Sequence, residues 1–100
     1  MIKTGGFLRM KKIAAIAEAA GITMAPHQTK PLGTIANLHL AASTPCMHTF
    51  QEYNIEDAAL RETMFRNAPK LTNGFLQLPE DPGLGVEFTD AFKSALVRLP

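Results

Sequence analysis

The sequence predicts an α/β fold made of parallel βαβ units. Three observations point there. Short apolar runs alternate with helical stretches through the first half of the chain. The runs lack in/out alternation, as expected of strands covered on both faces of a parallel sheet. The connections between them are tight and marked by glycine or proline.

Taken in order, Ile2, Lys3 and Thr4 read as a fragment of an extended run, broken by Gly5 and Gly6. Residues 7–20 form the strongest helix. Met10, Ile13, Ala17 and Ala20 recur at three- and four-residue steps, with Ile16 on the same broad face, while Arg9, Lys11, Lys12 and Glu18 fall mostly elsewhere. Gly21 stops this helix, because glycine accepts the left-handed conformation that a helix end often needs. Residues 22–25 are a second extended run, ended by Pro26 and His27. A polar loop, residues 28–31, leads to a second helix over residues 33–43, carrying Ile35, Leu38, Leu40 and Ala42 and closed by Pro45. Residues 47–51 are a third extended run with Glu52 at its end. Beyond Tyr53 the pattern changes. Residues 55–66 read as partly helical, Asn73-Gly74 as a turn, residues 75–78 as a short strand, and Asp81-Pro82-Gly83 as a second turn. Thr89-Asp90 can cap a last helix over residues 91–98. Three parallel strands with two crossovers leave two unpaired sheet edges, so the chain reads as a piece of something larger.

Composition narrows the function. The chain has 100 residues, one small domain at most. Lys plus Arg is 10 and Asp plus Glu is 9, a formal net charge of +1, which argues against nucleic acid or an anionic membrane surface as partner. A hydrophobic content of 46% is too high for a disordered chain. The single cysteine, Cys46, excludes an intramolecular disulfide framework and a cysteine-rich zinc site, and suits a reducing compartment. The apolar stretch 13–25 is interrupted by Glu18 and Gly21, and a spanning helix needs roughly 20 predominantly apolar residues. Basic residues ahead of that stretch imitate a signal peptide only faintly. The expected location is the cytoplasm.

Two residues stand out by position. His27 lies at the C-terminal end of the second extended run and Glu52 at the C-terminal end of the third, the end where α/β folds collect ligands and catalytic groups. A histidine there can act as a general base near neutral pH. A glutamate can be an acid, a metal ligand or, when protonated, a hydrogen-bond donor. Against these roles stand plainer ones, with His27 satisfying a loop and Glu52 solvated. His39, inside a helix between Leu38 and Leu40, reads as structural or surface, and His48 as a rim residue. Gly5-Gly6 reads as a tight turn before an anion site, Arg9, Lys11 and Lys12 as a solvated helix face, Cys46 as a loop residue, and Met10, Met24, Met47 and Met64 as packing residues.

Lys3-Thr4-Gly5-Gly6, the alanine-rich helix, and Ala19-Ala20-Gly21-Ile22 leading to Ala25-Pro26-His27 resemble the sixth and seventh strand region of the enolase superfamily, in its mandelate racemase and muconate-lactonising branch. Leu38-His39-Leu40-Ala41-Ala42 before Pro45, then Gln51-Glu52-Tyr53, continue the likeness into the eighth strand. Pro82-Gly83-Leu84-Gly85-Val86 is similar to the closing segment. The spacing of 25 positions between His27 and Glu52 most resembles acid-sugar dehydratases such as galactonate dehydratase.

The resemblance implies a fold: residues 1–78 as a partial C-terminal barrel domain, about strands 6 to 8 of a (β/α)7β TIM-like barrel, and residues 79–100 as a tail running back toward the capping domain. It also implies a reaction, in which a strand-end histidine moves a proton at the carbon next to a carboxylate and Mg2+ stabilises the enediolate. His27 matches that histidine, and in a dehydratase it would also protonate the departing hydroxyl. Glu52 matches the acidic residue that hydrogen-bonds the substrate carboxylate. The histidine's aspartate partner comes from the sixth strand, at or just before the point where this chain begins; the three carboxylate metal ligands and the second acid–base residue come from strands that this chain does not carry, so no Mg2+ is expected on the fragment alone. Two readings follow. In the first, the chain is the C-terminal part of a Mg2+-dependent sugar-acid dehydratase, a lyase, or of a related racemase. In the second, it is a truncated, non-catalytic remnant that acts by association with a partner or with itself through its open edges.

Overall fold

The computed structural model describes residues 2–28 and 30–97. Residues 98–100, the last of the expected tail, lie outside the described residues, as do Met1 and Thr29, while the last helix stops at Ala95, short of the expected Arg98. The chain divides into two units, Met1–Ile55 and Glu56–Pro100.

The first unit holds helices α1 (Phe7–Ala19) and α2 (Pro31–Ala42) and one parallel bridge, Met24 with Met47. Gly6, with φ at 89°, turns the chain into α1. The helix ends on Gly21, at φ 69°. The Gly21 N–H donates to the Glu18 carbonyl (3.0 Å) and the Ile22 N–H to the Ala17 carbonyl (2.8 Å), closing two of the carbonyls a helix end leaves open. The predicted apolar stripe is rotated. Met10, Ala14 and Ala17 are the buried positions, whereas Ile13 and Ile16 are 43% and 71% exposed. Alanines at 14 and 17 make that side of the helix thin, and α2 packs on it. Lys11 is exposed, as the solvated face predicts, and it also finds partners. Its Nζ donates to the Ser43 carbonyl (2.5 Å) and the Thr44 hydroxyl (3.1 Å), placing a cation at the negative end of α2.

α2 starts two residues earlier than the pattern indicates, with Pro31 as its first residue; the fixed φ of proline suits that position and its missing N–H is lost to no bond. Leu40 and Ala36 pack with Met10 in the core, with Met24 and Met47 against them. The methionines at 10, 24 and 47 are thus packing residues. The two extended runs are shorter than expected. The Met24 N–H donates to the Cys46 carbonyl and the His48 N–H to the Met24 carbonyl, both at 2.8 Å, and regular pairing stops there. Parallel strands extend when both faces are covered, and Ile22 is 58% exposed. The run expected at residues 2–4 is instead a 3-10 turn, Ile2–Thr4. A strand needs a neighbour to bond with, and here the Gly5 N–H reaches back to the Ile2 carbonyl (3.5 Å).

In the second unit, α3 (Ala58–Met64) is followed by a hairpin of β1 (Leu71–Thr72) and β2 (Phe75–Leu76) around Asn73-Gly74, both at positive φ as a tight hairpin turn requires. α4 (Asp90–Ala95) is capped as predicted: the Thr89 hydroxyl accepts from the Phe92 N–H at 3.1 Å. Phe65, Phe88 and Phe92 stack in sequence, at 5.5 and 5.3 Å, over an antiparallel bridge between Phe65 and Phe88. Arg66 and Asp90 pair. The pairing holds the Asp90 carboxyl below its ordinary value and the guanidinium above its own. Gly85 combines φ 70° with a Cβ direction that runs into Pro79, so a side chain there meets both strain and a collision.

Leu40 is fully buried, and Leu40→Ala is expected to cost about 2–5 kcal/mol in denaturant melts. Ile16→Ala should stay within about 0.5 kcal/mol. Gly85→Ala is expected to lower stability by at least about 1–2 kcal/mol from its left-handed φ alone, read as a lower thermal midpoint.

Candidate functional site

The Met24–Met47 bridge is parallel, so the segments that leave it run in the same direction. His27 follows three residues after one side of the bridge and Glu52 five after the other. α2 is the crossover between them. The two residues singled out in the sequence thereby meet: His27 Nδ1 lies 2.7 Å from Glu52 Oε2.

Glu52 has a second bond. The Gln28 backbone N–H donates to the same Oε2 at 3.1 Å. That N–H, and then the His27 ring, hold the Glu52 carboxyl below its ordinary value of 4.5, so it is ionised at neutral pH. An ionised carboxylate only accepts, so the His27 Nδ1 carries the proton of this bond. In a neutral ring the basic atom is then Nε2. The His27 side chain is 67% exposed, which leaves that atom open to a ligand. The arrangement can take up a proton at Nε2 and hold the resulting imidazolium against a carboxylate.

Beneath the pair lies a polar seam. Gln28 is 2% exposed. Its Nε2 donates to the Thr34 hydroxyl, and its Oε1 accepts from the Asn54 N–H at 3.1 Å. Thr34 donates to the Lys30 carbonyl (3.4 Å), and Asn37 Nδ2 to the His27 carbonyl (3.4 Å). α2 thus presents Thr34 and Asn37 to the loop around His27 while Ala36 and Leu40 build the core. Sequence reading passed over Gln28, Thr34 and Asn37. A glutamine in a polar loop looks solvated, and the one available signal was its place directly after His27.

The remaining candidates lie elsewhere. His48 Nδ1 takes the Phe50 N–H at 3.0 Å, a local turn. His39 is half-buried within α2. The Cys46 thiol donates to the Ala14 carbonyl at 3.4 Å. Gly5 and Gly6 form the turn into α1. Among the described residues, no group of three or more His, Cys, Asp or Glu side chains is placed to hold a metal ion. No helix among them is long and apolar enough to cross a membrane.

The depressed Glu52 value has a consequence for acid stability. A lowered folded value stabilises the fold above the ordinary range, and this is lost as pH falls through the folded value. Thermal melts taken from neutral pH downward should show wild type losing stability below the ordinary glutamate range more steeply than Glu52→Gln, which lacks the titrating group.

Residues 1–92 match the family described as Enolase C-terminal domain-like. A D-galactonate dehydratase family member of Pantoea ananatis is 37% identical over 90 residues, 87% of this chain and 21% of that protein. A solved mandelate racemase/muconate lactonizing enzyme from Jannaschia is 35% identical with a TM-score of 0.76, over 91% of this chain and 23% of that one. A Burkholderia xenovorans protein solved with magnesium and fumarate is 34% identical with a TM-score of 0.75, over 88% of this chain and 22% of that one. The chain therefore spans about a fifth of the length of these relatives, and its match is to the C-terminal part of their barrels. The family match over residues 1–92, together with these identities, makes this protein a member of the enolase superfamily, in its mandelate racemase and muconate-lactonising branch.

Proposed function

We propose that this chain is the part of a sugar-acid dehydratase that supplies its strand-end proton carrier. The observation that carries the reading is the 2.7 Å contact between His27 Nδ1 and Glu52 Oε2, which leaves Nε2 as the atom that meets substrate. In this reading residues 1–78 are the partial barrel domain and residues 79–100 the tail toward a capping domain. The similarity to a D-galactonate dehydratase family member supports an aldonate as substrate.

The steps assigned to this chain are proton movements. Nε2 of neutral His27 takes the proton from the carbon next to the substrate carboxylate, and Glu52 holds the imidazolium that forms. The same proton then passes to the hydroxyl on the next carbon, which leaves as water. The enol that remains tautomerises to a 2-keto-3-deoxy acid, and His27 returns to neutral. Glu52 as the contact to the substrate carboxylate belongs to the same proposal. In that contact the other carboxyl oxygen, Oε1, would carry a proton and donate it to the substrate carboxylate while Oε2 keeps its bond to His27, an anionic substrate drawn close favouring that protonation. Magnesium belongs to the proposal for the intact enzyme, where it stabilises negative charge on the substrate. Proton handling is the contribution proposed for this chain. A cytoplasmic setting is part of the reading, supported by a single cysteine.

A second reading has one observation in its favour. Leu8, Ile16 and Ile22 on the first unit are 81%, 71% and 58% exposed, a surface suited to association. Here the chain is a non-catalytic remnant that acts by binding a partner or a second copy of itself.

One experiment separates them. The chain is supplied with the remaining barrel strands of the family, and an aldonate is incubated with the assembly in D2O. Exchange at the α-carbon and 2-keto acid formation are expected, with His27→Ala lowering the rate by about 10²–10⁴-fold. A complemented His27→Ala variant at full rate would overturn the assignment. No exchange by the complemented wild type, with self-association in light scattering, would favour the remnant.

A further inference from the structure

We infer that Gln28 is a positioning residue of this site: its buried side chain ties the loop that carries His27 to the loop that carries Glu52, and so keeps its own backbone N–H on the Glu52 carboxylate. The inference rests on the reading of His27 and Glu52 as the functional pair, and it extends that reading to a residue with no acid–base chemistry of its own.

Three polar groups of Gln28 are engaged, each with a different segment. The backbone N–H reaches Glu52 Oε2 (3.1 Å). The side-chain oxygen accepts from the Asn54 N–H (3.1 Å), two residues beyond Glu52. The side-chain nitrogen donates to the hydroxyl of Thr34 in the first turn of α2. Two of the three bonds therefore bracket Glu52 and the third anchors the bracket to a helix. Loops move more readily than the elements they join. Here, however, the segment holding the carboxylate is fixed to the segment holding the histidine through a side chain that is 2% exposed. The burial matters because an amide hidden from water has no competing solvent partner, and a broken bond there leaves a buried polar group unsatisfied. His27 itself is held from the other side, through the Asn37 bond to its carbonyl. The ring and the carboxylate are exposed, while the pieces that aim them are not.

The geometry assigns Gln28 an effect on Glu52 that a purely packing residue would not have. The test uses the full 100-residue chain, with carbon-13 in its glutamate carboxyls and nitrogen-15 in its amides. Gln28→Met keeps the length and apolar bulk of the side chain and removes both of its bonds. It is expected to raise the Glu52 titration midpoint toward the ordinary glutamate range and to speed solvent exchange of the residue-28 amide by about tenfold or more, with the α1 amides of Ala14 and Ala17 unchanged. Thr34→Val, which cuts the anchor on α2 along with Thr34's own 3.4 Å bond to the Lys30 carbonyl, should move both readings the same way by less, and it serves as the deciding variant if Gln28→Met does not fold. A depressed wild-type midpoint that neither variant moves would overturn the inference and leave the functional pair standing. A wild-type Glu52 that titrates at the ordinary value would overturn the pair and the inference together.

Discussion

Everything distinctive about the first unit depends on one parallel bridge. Met24 makes two backbone bonds to the residues on either side of Met47, Cys46 and His48, and because the pairing is parallel, the chain leaves it twice in the same direction. An antiparallel pairing of the same residues would send Pro26-His27 one way and Gln51-Glu52 the other. The bridge is small, so its direction must be kept by something larger. α2 does this, since a parallel return needs a crossover and the helix supplies both its length and its buried face. The core of Met10, Ala36 and Leu40, with Met24 and Met47 against it, is the reverse side of the same arrangement: the residues that set the direction of the two runs are the residues that hold the helix.

Electrostatics at the end of that pair are settled by donors rather than by burial. Glu52 is exposed, yet two N–H groups converge on one of its oxygens. The carboxylate form is favoured by what points at it. Exposure then serves the histidine, whose ring must both meet a ligand and exchange a proton with it. The second unit uses the same economy of backbone donors for a structural end. Asn67 bonds to the Gly85 carbonyl and the Glu87 N–H, standing in for a strand partner beside the Phe65–Phe88 bridge.

The sequence was informative where local rules act alone. Gly21 ended α1, Asn73-Gly74 turned a hairpin, and Thr89 capped α4, each through bonds within a few residues of itself. The positions of His27 and Glu52 were legible because strand ends can be found by counting. Their contact was not, since a distance across 25 positions depends on how two runs register. The face of α1 was misread for a related reason. Periodicity finds the stripe with the largest apolar residues, but close helix packing selected the alanines at 14 and 17 and left Ile16 outside. The partners of Lys11 were hidden because the helix end it serves, at Ser43 and Thr44, is far away in sequence. Gln28 offered no local signal beyond its place directly after His27; its three partners lie at Thr34, Glu52 and Asn54.

The donor that Gln28 gives to Glu52 is a main-chain group, and heredity treats it differently from a side chain. No exchange at position 28 except to proline can delete it. Mutation can therefore reach the placement of this donor but hardly its existence. Such a site loses function by drifting out of alignment before it loses a part, and a lineage in which the clamp decays retains the pieces from which it could be tightened again.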